Sequence, residues 1–469
     1  MKLFNTRTRQ VDNFAPLNGK TAKIYSCGPT VYNHAHIGNL SAYIFADILR
    51  SAVTLAGFET KHIMNFTDVD DKTIRDSRAK YPDIEPREAL TKLTRHYEEV
   101  FLDEMLRVGN DNGAVIFARA TDAISNIQKL ILKLLDAKIA YISDDGIYFN
   151  INEYKKNRTY GQLSKINLSN DTQSRIDNDE YDKDSARDFA LWKKQKDDEP
   201  AWSFEINSEN FRGRPGWHIE CSAMSAKNLG QPFDIHTGGI DLVFPHHENE
   251  IAQSTAGDQP ELYANFFVHN EHLLVDNKKM SKSAHNFYTL PDIEKKGFSP
   301  LDFRMLVLQS HYRSATNFSW ENLIAARNRL RNWRNVAELR WQTDDSNDDG
   351  QAEIINNLLN NAANVLQDDI DTPNTLKFVD SAIDIFTNNL DNISHFALDN
   401  LARFTKENLG LDLYYMTPDI TPEQKKLIDL RNRARNEKDW ATSDKLRDEL
   451  AEQGIELNDT NNQAIWLRK

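Results

Sequence analysis

A short apolar run, Lys23-Ile24-Tyr25-Ser26-Cys27, is followed by a helix-patterned stretch, Leu40 to Ala56, and then by a second run, Thr60 to Phe66. In the middle stretch Leu40, Tyr43, Ile44, Asp47, Ile48, Val53 and Ala56 recur at near-helical spacing, apolar residues predominating, and Gly57 is a good helix stop. A strand, a helix and a returning strand imply two parallel strands joined by a right-handed crossover. Sheets of this kind take ligands beyond the carboxyl ends of their strands. That rule puts Cys27-Gly28-Pro29 and Thr67-Asp68 on one rim.

A chain of 469 residues has room for roughly three domains. The pattern divides it into a first half of an α/β sheet domain (1–110), an insertion (111–214) and the second half of the sheet (215–262). A region with a basic loop (263–320), a helical region (321–416) and a small terminal unit (417–469) follow. Inside the insertion, Ala123 to Ala137 reads as a helix and Gly146 to Ile151 as a strand. Asn167 to Lys196 is charge-dense and reads as a solvated excursion. Phe233 to His236 and Asn265 to Val268 are further strands of the sheet. Asp344 to Gly350 reads as an acidic loop within the helical region. In the terminal unit one charged helix, Thr421 to Gln453, leads to Gly454 and a short tail.

The charge balance, 57 basic against 71 acidic residues or −14, excludes a histone-like coat for nucleic acid but not a local basic face. No stretch approaches the roughly 20 apolar residues that span a bilayer. The start turns polar before a signal-peptide core could form, so a cytoplasmic protein without a membrane partner is expected. Cys27 and Cys221 are the two cysteines. They read either as unrelated buried thiols or as half of a metal site that needs His or carboxylate partners.

Three motifs carry chemistry. His34-Ala35-His36-Ile37-Gly38-Asn39 lies between the first strand and the first helix. Gly38 permits close backbone approach, a helix start favours phosphate, and two imidazoles can donate to its oxygens. Alone, this is equally a polar loop with incidental histidines. Lys278-Lys279-Met280-Ser281-Lys282-Ser283 puts three lysines and two hydroxyls on a short loop, which suits a triphosphate as well as it suits a solvated turn. The third motif pairs Gly216-Trp217-His218-Ile219-Glu220-Cys221 with Phe244-Pro245-His246-His247-Glu248-Asn249-Glu250. With Pro245 opening a helix, His246 and Glu250 share one face, and His247 points off it to serve packing or to support the ligands from behind. Cys27, Cys221, His246 and Glu250 then supply two sulfurs, a nitrogen and an oxygen, a set suited to Zn²⁺. The bland alternative is a His–Glu pair on a helix surface.

A histidine-bearing loop after the first strand and a KMSKS loop after the later sheet are paired signatures of class I aminoacyl-tRNA synthetases. From Phe4-Asn5-Thr6 to Trp466 the chain resembles the bacterial cysteinyl-tRNA synthetases. The resemblance rests on Cys27-Gly28-Pro29-Thr30-Val31-Tyr32, on Asn65-Phe66-Thr67-Asp68-Val69-Asp70-Asp71-Lys72, and on the Trp217 and Pro245 blocks. It implies an α/β fold: a Rossmann-like parallel-sheet catalytic domain with an inserted connective segment, then a helical bundle and a small C-terminal anticodon-binding domain. It implies activation of L-cysteine by ATP and transfer of cysteine to the terminal adenosine of tRNA(Cys). One zinc ion would sit on Cys27, Cys221, His246 and Glu250, and Gly28, Thr67 and Trp217 would line the amino-acid pocket. His36 and Lys282 would be catalytic, contacting ATP with its Mg²⁺. Asn39 and Lys279 on the same loops, with Gly239 and Asp241, would complete the ATP site.

The chain departs from that family in places. The last position of the HIGH-type motif is Asn39, Leu40-Ser41-Ala42 lacks a common Arg-Thr pair, and Ala284-His285-Asn286 stands where Leu-Gly-Asn is usual. Two rival readings are a ligase of the same fold that joins cysteine to an amino sugar, and a non-catalytic RNA-binding paralogue. The long stretch after Trp320 favours an RNA substrate, and intact His36, Lys282 and four metal ligands favour catalysis. For tRNA contact, Arg327, Arg331 and Arg334 fall on one helical face. Arg431 and Trp440, joined by Trp466, offer charge and stacking surface in the terminal unit. The bland reading there is a solvated helix face and a core tryptophan. No heptad pattern stands out, so a monomer is expected.

Overall fold

The computed structural model describes residues 1–164, 188–280, 286–343, 345, 349–390, 392–459 and 464–468. It divides into two compact units, Met1–Pro300 with Tyr312–Phe318, and Leu301–His311 with Ser319–Lys469.

The first unit is built on a five-stranded parallel sheet. Its strands run, edge to edge, Ala264–Asn270, Phe233–Gly239, Thr21–Ser26, Glu59–Phe66 and Val115–Arg119. The expected parallel pair is present, with Tyr25 opposite Ile63. Helix Ile37–Leu55 connects them. It starts at Ile37 because His36 caps it, its ring Nδ1 accepting the Asn39 N–H at 3.1 Å. Gly57 turns the chain back with φ 89°, a conformation glycine adopts without cost. Tyr25, Ile63, Phe233 and Phe267 are buried together in the core with Ile219 and Met224 of helix Trp217–Leu229. Chain order runs outward in opposite directions from Thr21–Ser26, so the sheet has its switch point between that strand and Phe233–Gly239. A ligand crevice belongs there, where Cys27 leaves one strand and Gly239 ends the other.

Two expectations need correction. The strand Val115–Arg119 belongs to the core sheet although it falls in the 111–214 stretch read as inserted. It is a half-buried edge strand, and its apolar run Val115-Ile116-Phe117-Ala118 falls just past the boundary drawn at 111. Of the stretch read as a solvated excursion, Asp188–Lys194 is a strand in a four-stranded antiparallel sheet, with Leu191 and Trp192 fully buried. Lys193 and Lys194 disguise it; residues 165–187 lie outside the described residues. The remaining strands of that sheet are Ala140–Ser143, Gly146–Asn150 and Gly213–Pro215.

The second unit is helical. Trp320–Ala337, Asp349–Leu366, Thr372–Asn388 and His395–Leu409 are its long early helices. The expected acidic loop near 344–350 falls largely outside the described residues. The terminal region does not form one helix. Pro422–Asn436 and Trp440–Glu452 are separate, broken where Lys438 takes φ 65° and Asp439 caps the second helix through the Thr442 N–H at 3.1 Å. The tail is a hairpin of Ile455–Asp459 and Ala464–Arg468, with Trp466 packed against Ile420, Ile428, Leu450 and Ile455. Among the described residues no helix is long and apolar enough to cross a membrane.

Candidate active site and metal centre

At the switch point the loop after Thr21–Ser26 is drawn against the end of Glu59–Phe66. The Gly28 amide donates to Asn65 Oδ1 at 2.9 Å. Thr67 N–H donates to the Pro29 carbonyl at 3.0 Å, and Val31 N–H to the Thr67 carbonyl at 3.2 Å. Asn65 Nδ2 then donates to the buried Thr67 hydroxyl at 3.1 Å. Gly28 and Thr67 therefore meet on one rim. Trp217, half-buried at the start of helix Trp217–Leu229, stacks on the His246 ring with centroids 4.1 Å apart.

Cys27, Cys221, His246 and Glu250 do converge, with their ligand atoms all within 4.8 Å of one another. His246 Nε2 lies 3.1 Å from Glu250 Oε1, and Cys27 Sγ lies 3.9 Å from the same oxygen. The local route differs from the expected one. Phe244 is extended (φ −139°, ψ 133°), so Pro245 does not open a regular helix; His246 sits in a wide turn and Glu250 in helix Glu248–Thr255.

His247 also corrects the reading. It does not point away: its Nε2 is 3.3 Å from Cys27 Sγ, while its Nδ1 is 2.7 Å from His269 Nε2. A second four-donor group, Cys27, His236, His247 and Glu250, thus overlaps the first. Glu250 divides its carboxylate between them. Oε1 faces His246 and Cys27, and Oε2 takes bonds from His236 Nε2 at 2.9 Å and the Tyr263 hydroxyl at 2.7 Å. His218 Nδ1 completes the array, 3.0 Å from His246 Nδ1. Sequence reading missed His236, His269 and Tyr263. Each meets its partner across separate elements, so no short spacing marks it.

The electrostatics suit a cation. Burial, and then the neighbouring Cys221 and Glu250, push the Cys27 thiol well above its ordinary value. Burial, then His218 and His236, holds His246 well below the usual imidazole range. The cluster is therefore rich in donors and, among the described residues, lacks a positive partner; a bound cation would reverse the penalty on the thiolates. Glu220, beside Cys221, is fully buried with neither oxygen hydrogen-bonded among the described residues.

At the histidine loop, burial and then Lys72 hold His36 near pKa 4. The ring is neutral, and with Nδ1 engaged as an acceptor its proton sits on Nε2. His34 does not act as its twin: its Nδ1–H donates to the buried Glu104 Oε1 at 2.7 Å. A Cβ on Gly38 would come within 2.5 Å of Met280 Cε, so the start of the KMSKS loop closes on the histidine loop. Ile37 N–H donates to the Tyr288 carbonyl at 2.9 Å, Phe287 meets the His36 ring edge-on at 5.1 Å, and Asn286 Nδ2 donates to the Lys279 carbonyl at 3.1 Å. Lys279 and Asn39 are exposed. Lys282, like Ala284 and His285, lies outside the described residues. Gly239 ends its strand, where a Cβ would lie 2.4 Å from Oδ1 of the exposed Asp241.

In the second unit, Arg327 and Arg331 are exposed on helix Trp320–Ala337 and Arg334 is half-buried. Trp440 is 58% exposed at the head of its helix. Arg431 is not a surface contact: it is buried and holds Asp459 through bonds of 2.5 and 2.6 Å. Trp466 is buried as well.

Residues 13–328 match the family model described as "tRNA synthetases class I (C) catalytic domain", and residues 417–466 match that of the "Cysteinyl-tRNA ligase anticodon binding domain". The chain belongs to the cysteine–tRNA ligase family. It is 37% identical to a cysteine–tRNA ligase from Brachyspira hyodysenteriae, covering 99% of both chains. It is 39% identical to one from Solibacter usitatus, covering 100% of both. Class I cysteine–tRNA ligases share their fold with distant synthetases. A Mycobacterium tuberculosis methionyl-tRNA synthetase bound by methionyl-adenylate superposes with a TM-score of 0.59 over 90% of this chain and 96% of that one, at 12% identity. An Agrobacterium radiobacter LeuRS in a ternary complex gives 0.58 over 86% of each, at 10% identity. At such identities the likeness concerns the fold alone.

Proposed function

We propose that the protein uses ATP to convert L-cysteine to cysteinyl-adenylate and passes the cysteinyl group to the terminal adenosine of tRNA(Cys). The observation that carries this reading is the junction of the buried Cys27–Cys221–His246–Glu250 cluster with the Gly28–Thr67–Trp217 rim at the switch point of the sheet.

Cys27, Cys221, His246 and Glu250 would hold a zinc ion, which supplies a soft charge that prefers a thiolate to a neutral hydroxyl. Size alone would discriminate weakly between cysteine and serine, which differ at a single atom. Thr67 accepts from Asn65, which leaves its hydroxyl proton to donate to the bound amino acid. Trp217, fixed on His246, closes the pocket. The cysteine carboxylate oxygen attacks the α-phosphorus in line, and pyrophosphate leaves with the electron pair. His36 Nε2–H and the Gly38 N–H at the start of helix Ile37–Leu55 donate to phosphate oxygens as their charge rises. Lys279 and Lys282, with Mg²⁺, balance that charge. A ribose hydroxyl of the terminal adenosine then attacks the activated carbonyl, and AMP departs.

The 417–466 match favours tRNA over an amino-sugar acceptor. The test is charging of tRNA(Cys) transcript with labelled cysteine by the purified zinc-loaded chain. Acid-stable, base-labile label on the RNA is expected. Label on an amino sugar with none on tRNA would overturn the reading.

A further inference from the structure

Helix Pro86–Arg107 ends in a turn that reaches both nucleotide loops. Glu104, 1% exposed, accepts the His34 Nδ1–H at 2.7 Å, and the Ala35 N–H also supports its charge. These are the two residues that precede His36. Oε2 of Glu104 has no hydrogen-bond partner among the described residues. Tyr97 of the same helix meets the His34 ring edge-on at 6.3 Å. One turn position further, Arg107 pairs with Asp103 at 3.0 Å and with Glu294. Glu294 lies in helix Leu290–Lys295, downstream of the KMSKS motif. Thr289, which caps that helix, is tied to the histidine loop through a bridge to His36.

We propose that Glu104 is a positioning residue for ATP: through His34 and Ala35 it sets the place of His36, while Arg107 from the same turn sets the far side of the nucleotide site. The inference rests on the functional reading above. A carboxylate needed only for stability is better replaced by an apolar group, because burying it costs more than an apolar contact does. Glu104 instead spends its bonds on a half-exposed histidine in a loop, the side chain of which is 40% exposed. Its Phe101 and Met105 neighbours are buried, so the turn that carries it is rigid. A loop displaced by about 1 Å loses reaction rate out of proportion to any loss of folding stability.

The test compares the full zinc-loaded chain with Glu104→Ala, Glu104→Gln and His34→Ala. Two quantities are read: binding of a non-hydrolysable ATP analogue by calorimetry, and kcat and KM in cysteine-dependent pyrophosphate exchange. In Glu104→Ala the analogue should bind about tenfold more weakly, and kcat/KM for ATP should fall at least as far. KM for cysteine and zinc content should stay unchanged. Glu104→Gln keeps the acceptor oxygen and should recover most of the loss. His34→Ala removes the same bond from the exposed side and serves if Glu104→Ala does not fold. Unchanged ATP binding in that variant, or equal losses for ATP, cysteine and zinc, overturns the inference. Wild-type protein that binds the analogue but exchanges no pyrophosphate with cysteine would overturn the functional reading alone. Weaker analogue binding by Glu104→Ala would still support the positioning role of Glu104.

Discussion

Gly28 and Asn65 lock the rim of the pocket: the Gly28 amide donates to Asn65 Oδ1 at 2.9 Å, and a Cβ at position 28 would stand 1.9 Å from the Asn65 carbonyl oxygen. That contact is with backbone, so no side-chain rotation relieves it. Gly28→Ala should therefore push the Cys27 loop off the neighbouring strand. About 1–3 kcal/mol of stability should be lost, with KM for cysteine raised about tenfold. Chemical denaturation and exchange kinetics measure both. An alanine variant with native kinetics would contradict the close approach.

The metal assignment makes a separate claim. Cys221→Ala removes one of two sulfurs from the four-donor group. Elemental analysis should show about one zinc per wild-type chain and far less in the variant. Tyr263→Phe removes the hydroxyl that holds Glu250 Oε2 at 2.7 Å and should weaken zinc binding about tenfold in a chelator competition. Equal metal content in Cys221→Ala and wild type would sink the ligand set.

Stability should carry a pH signature from His62. Burial, then Arg50, holds its pKa near 3, and its Nε2 lies 2.6 Å from the Ser26 hydroxyl. A histidine depressed in the folded state takes up its proton first in the unfolded chain. Its neutral burial is therefore without penalty above about pH 6.5, and stability falls as pH drops from there toward 3. At pH 5 the loss is about 2 kcal/mol for this residue. Urea unfolding at pH 7.5 and pH 5 should show His62→Gln losing less than wild type by about that amount. Parallel losses in the two proteins would refute it.

How far the sequence reveals this molecule depends on the range of each interaction. The parallel pairing of the strands that carry Tyr25 and Ile63 was legible because strand, helix and strand follow each other locally, while their register was not. The convergence of Cys27, Cys221, His246 and Glu250 was legible because cysteine is scarce, which leaves few ways to place two sulfurs. The array behind it was not. His236 reaches Glu250 from another element, and His247 turns toward Cys27 only because the backbone is extended at Phe244. Trp192 was hidden by the lysines after it, and Val115–Arg119, despite its apolar run, by its place just past the boundary drawn at 111. The break at Lys438 carries no Gly or Pro, since a lysine takes the positive φ there.

In the terminal unit, exposure separates two roles. Trp440 is 58% exposed, and on the proposed function it would stack on an unpaired base. Trp440→Ala should raise KM for tRNA about tenfold, an effect worth 1–3 kcal/mol per stacked base, and leave pyrophosphate exchange untouched. Arg431→Ala should act differently. It strips Asp459 of a buried partner, so melting should reveal a loss of about 2 kcal/mol or more. A Trp440 variant with wild-type charging kinetics would remove that residue from RNA contact.

The central claim is that a thiol-selective cluster at the switch point picks the substrate. Pyrophosphate exchange by the zinc-loaded chain, run with L-cysteine and L-serine side by side, tests it most directly. Cysteine should be activated with a kcat/KM at least about 10⁴-fold above serine, more than size selection alone can reach. Comparable values for the two amino acids would contradict the claim.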